Sequence, residues 1–165
     1  MTVYISPNPG KEQAVATAQR AAQLLLMQGT TVLMRDDLNE TCCADGVQYL
    51  PLEECLPRTD VILTIGGDGT MIHTALDALE FDRPVIGINS GRLGYLTQIE
   101  PPFGDSLQKL AAGQFGIQPR TVLSVTVRQP DGSTCQSYAL NDVVIARQMV
   151  ASMIDIEVFR GGAAF

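Results

Sequence analysis

The chain has 165 residues, 45% of them hydrophobic and 18% charged, and a formal net charge of −7. That is enough for one globular domain, or for one domain plus part of another, and an acidic chain without a basic stripe argues against a nucleic-acid partner. Its apolar runs fall far short of the roughly 20 residues that span a bilayer, so no membrane association is expected.

The N-terminus lacks the charged and apolar regions of a signal peptide. Four cysteines (Cys42, Cys43, Cys55 and Cys135) and a single histidine form neither a Cys-x-x-Cys pair nor a zinc-ligand pattern. The expected compartment is the cytoplasm, with reduced thiols.

Residues 2–6 read as a short apolar strand, ended by Ser6-Pro7-Asn8-Pro9-Gly10. Residues 11–28 place Val15, Ala18, Ala22, Leu25 and Leu26 on one helical face, which Gly29 closes. Residues 31–34 form a second strand, 35–50 are polar and irregular, and a short helix covers 51–56. Residues 60–65 are a continuous apolar run, as expected of a strand covered on both faces. A helix over 70–80, a fourth strand over 84–89 and a helix near 104–112 follow. This alternation predicts an α/β domain over residues 1–116, a Rossmann-like, doubly wound parallel sheet with right-handed crossovers.

From residue 117 the texture changes. Residues 117–128 alternate, Pro130-Asp131-Gly132 turns the chain, and 133–140 returns. Residues 142–147 and 151–160 read as further strands. Residues 117–165 are therefore expected to begin an all-β domain. Three or four strands make a poor isolated core, so the chain reads as truncated inside this second domain.

The chemistry concentrates at Gly66-Gly67-Asp68-Gly69-Thr70, between an apolar strand and a helix. There an open α/β sheet keeps its phosphate sites. The glycines Gly66, Gly67 and Gly69 let the backbone approach a ligand and adopt positive φ, and with Thr70 they form a candidate phosphate cradle. Asp68 is the one titratable side chain of the motif, placed to take a proton from a hydroxyl. The plainer alternative is a tight turn with Asp68 or Thr70 as helix N-cap.

Only two lysines exist, Lys11 and Lys109, and neither is expected to lie near the motif. Amides, arginine and a metal are thus expected to hold phosphates, with no P-loop lysine. Two further segments stand out: Gly87-Ile88-Asn89-Ser90-Gly91-Arg92-Leu93-Gly94-Tyr95-Leu96, and Ala139-Leu140-Asn141-Asp142-Val143-Val144-Ile145. Arg92 either reaches a phosphate or pairs with a surface carboxylate. Asn8 is a weak ligand candidate at the first strand exit, and His73 reads as helix surface.

These three segments, in this order and spacing, resemble the NAD kinase family across the whole chain. The resemblance implies a cytosolic enzyme that phosphorylates the adenosine 2′-hydroxyl of NAD to give NADP. The implied donor is ATP, or polyphosphate in some members, with Mg²⁺ or another divalent metal. Members have an N-terminal α/β domain and a C-terminal β domain with the site in the crevice between them, and are usually homodimers or homotetramers. Carried over by position, Asp68 is the general base, Gly67 and Gly69 are its phosphate cradle, and Asn141 and Asp142 contact the dinucleotide. Tyr95 stands where the family has an aromatic residue beside a nucleoside pocket. No protein metal ligand is assigned.

The family continues into a Gly-Ser-Thr-Ala-Tyr type of segment that this chain lacks, so the polypeptide as given is expected to be weak or inactive alone. Lipid and sphingoid kinases share the first motif and are the alternative enzyme reading, which a substrate panel distinguishes. A non-catalytic nucleotide-binding module is the alternative from another class, marked by binding without turnover.

Overall fold

The computed structural model describes residues 1–90, 94–146, 153 and 155–164. The chain divides into two compact units, Met1–Thr121 and Val122–Phe165.

The first unit is built on a five-stranded sheet: β1 (Thr2–Pro7), β2 (Thr31–Arg35), β3 (Gln48–Leu50), β4 (Val61–Gly66) and β5 (Val85–Asn89). All neighbours are parallel, in the order β3-β2-β1-β4-β5. The helices are α1 (Glu12–Met27), α2 (Leu52–Arg58), α3 (Asp68–Asp77) and α4 (Gly104–Ala111), with 3₁₀ turns at Asp36–Leu38 and Leu79–Phe81.

Side-chain alternation sends each strand's residues to two covered faces. Val3, Ile5, Val32, Met34, Leu63 and Ile65 pack with the α1 residues Ala14, Ala18, Ala21 and Leu25 and with Leu107 and Leu110 of α4. The alanines bring α1 close to the sheet, and Gly29, at φ 74°, ends the helix in a left-handed turn. On the other face Tyr4, Leu33 and Ile62 pack with Cys55 and Leu56 of α2 and with Ala78. All six residues of β4 are buried. Each large apolar side chain there contributes roughly 1.5–3 kcal/mol of transfer free energy.

Two crossovers leave the sheet centre in opposite directions, from β1 out to β2 and from β4 out to β5. The strand order therefore reverses between β1 and β4, and in such sheets ligands bind outside the strands' carboxyl ends at that reversal.

In the second unit β6 (Leu123–Arg128) and β7 (Thr134–Ala139) form an antiparallel hairpin, with Leu123 opposite Ala139 and Arg128 opposite Thr134. Gly132, at φ 86°, turns it. A two-residue hairpin joins β8 (Phe159–Arg160) to β9 (Ala163–Ala164). Its turn residues Gly161 and Gly162, at φ 60° and 85°, have the positive φ that tight hairpins require.

Four local expectations are corrected. The stretch read as wholly irregular over 35–50 contains β3, a three-residue edge strand too short to show a period. The helix after β4 starts at Asp68, two residues earlier than its apolar pattern. Residues 142–146 form no strand; residues 147, 151, 152 and 154, also expected in strands, lie outside the described residues. The expected strand over 151–160 is, where described, only β8, paired with residues just beyond it.

Candidate active site

Thr70, in the first turn of α3, folds back over the end of β4. A Cβ on Gly66 would lie 2.4 Å from the Thr70 Oγ1, so only glycine fits there. Gly67 is the helix N-cap with φ −112° and ψ −170°, and no side chain caps the helix. This corrects two expectations: neither Asp68 nor Thr70 acts as N-cap, and the motif glycines do not adopt positive φ. Gly67 and Gly69 also have no atom within 4 Å of where a Cβ would sit. Among the described residues, neither strain nor packing requires glycine at those two positions. They leave bare backbone at a helix amino end, whose first N–H groups have no intrahelical partner.

The Asp68 carboxylate turns toward the loop after β5. Its Oδ2 accepts a hydrogen bond from the Tyr95 N–H and its Oδ1 one from the Leu96 N–H, both at 2.9 Å. These bonds hold its carboxyl below the usual carboxylate range. It is therefore ionised at neutral pH, with lone pairs left for one more donor.

The second glycine segment makes this contact possible. A Cβ on Gly94 would lie 2.7 Å from Asp68 Oδ1 and 2.6 Å from Thr97 Oγ1, and one on Gly87 would lie 2.9 Å from Thr97 Cγ2. Gly87 lets the returning chain lie along β5, where the Gln98 and Ile99 N–H groups reach the Gly87 carbonyl at 3.1 and 2.9 Å. Gly94 lets the loop close on the carboxylate.

On the β1 side of α3 lies a cleft of about 450 Å³. Gly67, Gly69 and Thr70 open onto it, with Asn8, Lys11 and Arg35 opposite. Asn8 Nδ2 donates to Thr70 Oγ1 at 3.3 Å, and Asn8 Oδ1 accepts from the Gly10 N–H at 3.0 Å. The exits of β1 and β4 are thereby tied together. Burial pushes the Tyr4 phenol up to about 12, so it stays a neutral donor in the lining. Arg35 is engaged by both carboxylate oxygens of Asp37 at 2.6 Å.

The expectation that no lysine is near the motif is corrected here. Lys11 follows β1, and the sheet order brings β1 beside β4. His73, read as plain helix surface, is exposed but lines the same cleft.

The remaining candidates are placed less closely. Tyr95 contributes its backbone N–H to Asp68, while its side chain is 92% exposed. Asn141 and Asp142 are exposed residues of the second unit, beyond β7. Arg92 lies outside the described residues. Cys42 and Cys55 are buried, which pushes both thiols up, Cys55 to about 11. Among the described residues no three His, Cys, Asp or Glu side chains converge as a metal site, and no helix is long and apolar enough to cross a membrane.

Residues 3–115 match the family model described as ATP-NAD kinase N-terminal domain. The NAD kinase of Nitrosomonas europaea is 40% identical over 143 residues, which cover 86% of this chain and 48% of that protein. The NAD kinase of Magnetococcus marinus is 35% identical over 113 residues, covering 68% and 37%. Among solved structures, yeast NADH kinase complexed with NADH shares the fold with a TM-score of 0.66 at 19% identity, covering 86% of this chain and 47% of that one. The chain spans about half the length, or less, of these relatives.

Proposed function

The chain belongs to the NAD kinase family, and from that membership we propose that its protein transfers a phosphoryl group from ATP, or from polyphosphate, to the adenosine 2′-hydroxyl of NAD. NADH bound in the yeast relative supports a dinucleotide as acceptor. The observation that carries the reading is the Asp68 carboxylate. It is ionised, fixed by two loop amides, and set between two glycines whose bare backbone no packing among the described residues explains.

In this mechanism Asp68 takes the proton of the 2′-hydroxyl as its oxygen attacks the terminal phosphorus. A P–O bond forms to the ribose, and the bond to the bridging oxygen breaks. The leaving phosphate carries away the electron pair. A depressed pKa makes Asp68 a weak base, and that suits the reaction: the transition state for phosphoryl transfer is loose, and positioning and charge stabilisation dominate. The amides of the first α3 turn supply part of that stabilisation. Among the described residues no side chains converge as a metal site, and we assign the divalent ion to the nucleotide as part of the substrate. Asn141, Asp142, Arg92 and the Tyr95 ring are proposed dinucleotide or phosphate contacts. Gly66 and Thr70 shape the cradle. A cytoplasmic homodimer or homotetramer completes the proposal.

The test is NADP formation from NAD and Mg-ATP by the protein at its full natural length, with Asp68→Asn in parallel. We expect turnover to fall by about 10²–10⁴-fold, the usual contribution of a positioned base, with NAD binding retained. Near-full turnover in the variant would remove Asp68 from the role.

A further inference from the structure

Thr97 lies on the loop that clamps the Asp68 carboxylate, and its surroundings fix where its hydroxyl points. The chain just after it is secured along β5: the Gly87 carbonyl accepts from the Gln98 and Ile99 N–H groups at 3.1 and 2.9 Å, and the Gly87 N–H donates to Gln98 Oε1 at 2.9 Å. The Thr97 methyl lies over Gly87, where a Cβ would stand 2.9 Å from Thr97 Cγ2 and 3.3 Å from Met71 Sδ of α3. A branched Cβ makes χ1 stiff. With the methyl seated against β5, the hydroxyl is aimed at Gly94 and the carboxylate. A Cβ on Gly94 would meet Thr97 Oγ1 at 2.6 Å and Asp68 Oδ1 at 2.7 Å, so both oxygens face the same bare point.

Thr97 Oγ1 is buried and, among the described residues, has no hydrogen-bond partner. A buried hydroxyl without a partner costs stability, and packing alone would be served as well by valine. The carboxylate beside it is the complement. It has about four lone-pair sites, and the Tyr95 and Leu96 amides take one on each oxygen.

We propose that Thr97 is a positioning residue: its hydroxyl donates to Asp68 Oδ1 as the phosphoryl acceptor binds, which leaves Oδ2 as the oxygen that takes the acceptor's proton. The inference rests on the kinase reading above and adds how the base oxygen is selected. Hydrogen bonds of catalytic groups commonly tighten only in the complex. The Thr97 proton stays on Thr97 throughout, so the proton balance of the transfer is unchanged. Thr97 acts through Asp68 and touches neither donor nor acceptor.

The test compares Thr97→Val and Thr97→Ser with the wild type in the full-length protein. It reads calorimetric melting, and kcat and KM for NADP formation from NAD and Mg-ATP. Valine keeps the packing and removes an unpartnered hydroxyl, so the melting temperature should hold or rise. Turnover should fall by about 10-fold, the scale of one hydrogen bond to a charged group. The KM for NAD should stay within about twofold, because the bond acts on the base and not on bound substrate. Thr97→Ser restores the hydroxyl and should recover most of the loss. In an Asp68→Asn background Thr97→Val should cost nothing further. A lower melting temperature in Thr97→Val together with lost activity assigns the hydroxyl to the fold and overturns the inference. So does full turnover, a raised KM with kcat unchanged, or an equal loss in the Asp68→Asn background. Those results leave the kinase reading intact. Wild-type protein that forms no NADP removes that reading, and this role with it.

Discussion

Gly69→Ala separates the stability of the α3 turn from its use. Gly69 is exposed in the first turn of the helix, its φ is not positive, and no atom of the described residues lies within 4 Å of where the new methyl would go. A glycine-to-alanine change at such a position stabilises by about 0.4–1 kcal/mol, through lost freedom of the unfolded chain. For a domain of this size that raises the melting temperature by roughly 1–5 °C. The same methyl stands where a phosphate oxygen would approach the first-turn amides. Losing one such donor costs about 10²–10³-fold in kcat. The expected variant is therefore more heat-resistant and nearly inactive. Calorimetric melting and NADP formation on the same preparation read both effects. A variant that melts lower would mean the position is packed. One that is stabilised and fully active would mean that no ligand uses the bare backbone there.

Two other outcomes follow from the Asp68 clamp. Gly94→Ala puts a Cβ 2.7 Å from Asp68 Oδ1 and 2.6 Å from Thr97 Oγ1; overpacking of this kind costs about 1–3 kcal/mol. Urea denaturation should show that loss along with reduced turnover, and an unchanged midpoint would contradict the loop geometry. The second outcome concerns acid. Because the folded-state pKa of Asp68 is depressed by the Tyr95 and Leu96 amides, its stabilisation is complete above the unfolded value of about 3.9 and fades as pH falls through the folded value. The stability gap between wild type and Asp68→Asn should therefore narrow below about pH 4; a gap constant down to pH 3 would show that the carboxylate's charge contributes nothing.

What the sequence disclosed depended on how far each signal reaches along the chain. The continuous apolar run of β4, the helical face of α1 and the glycine-rich strand exit are local patterns, and they marked the α/β sheet directly. β3 was hidden because three residues at a sheet edge carry no period. The strands expected beyond residue 141 were inferred from apolar composition, which does not distinguish a paired strand from an extended segment. At the site, the neighbourhood of Lys11 was invisible because it depends on strand order, and local patterns do not encode which strands become neighbours. Similarly, Gly87 and Gly94 stood out in the sequence only as parts of a glycine-rich segment at a strand exit. Their contacts with Thr97 and Asp68 arise only when the chain doubles back along β5.

The closeness of Gly94 to the Asp68 carboxylate makes the two positions a single inherited unit. A lineage that acquired any side chain at 94 would have to shorten, turn or discard the acid at 68 before the loop closed again. Conversely, one that lost the acid would be released to fill position 94. Relatives should therefore divide into those that keep both residues and those that have changed both. A homologue with a bulky residue at the position of Gly94 can be set aside as a candidate kinase of this kind even where its glycine motif is intact.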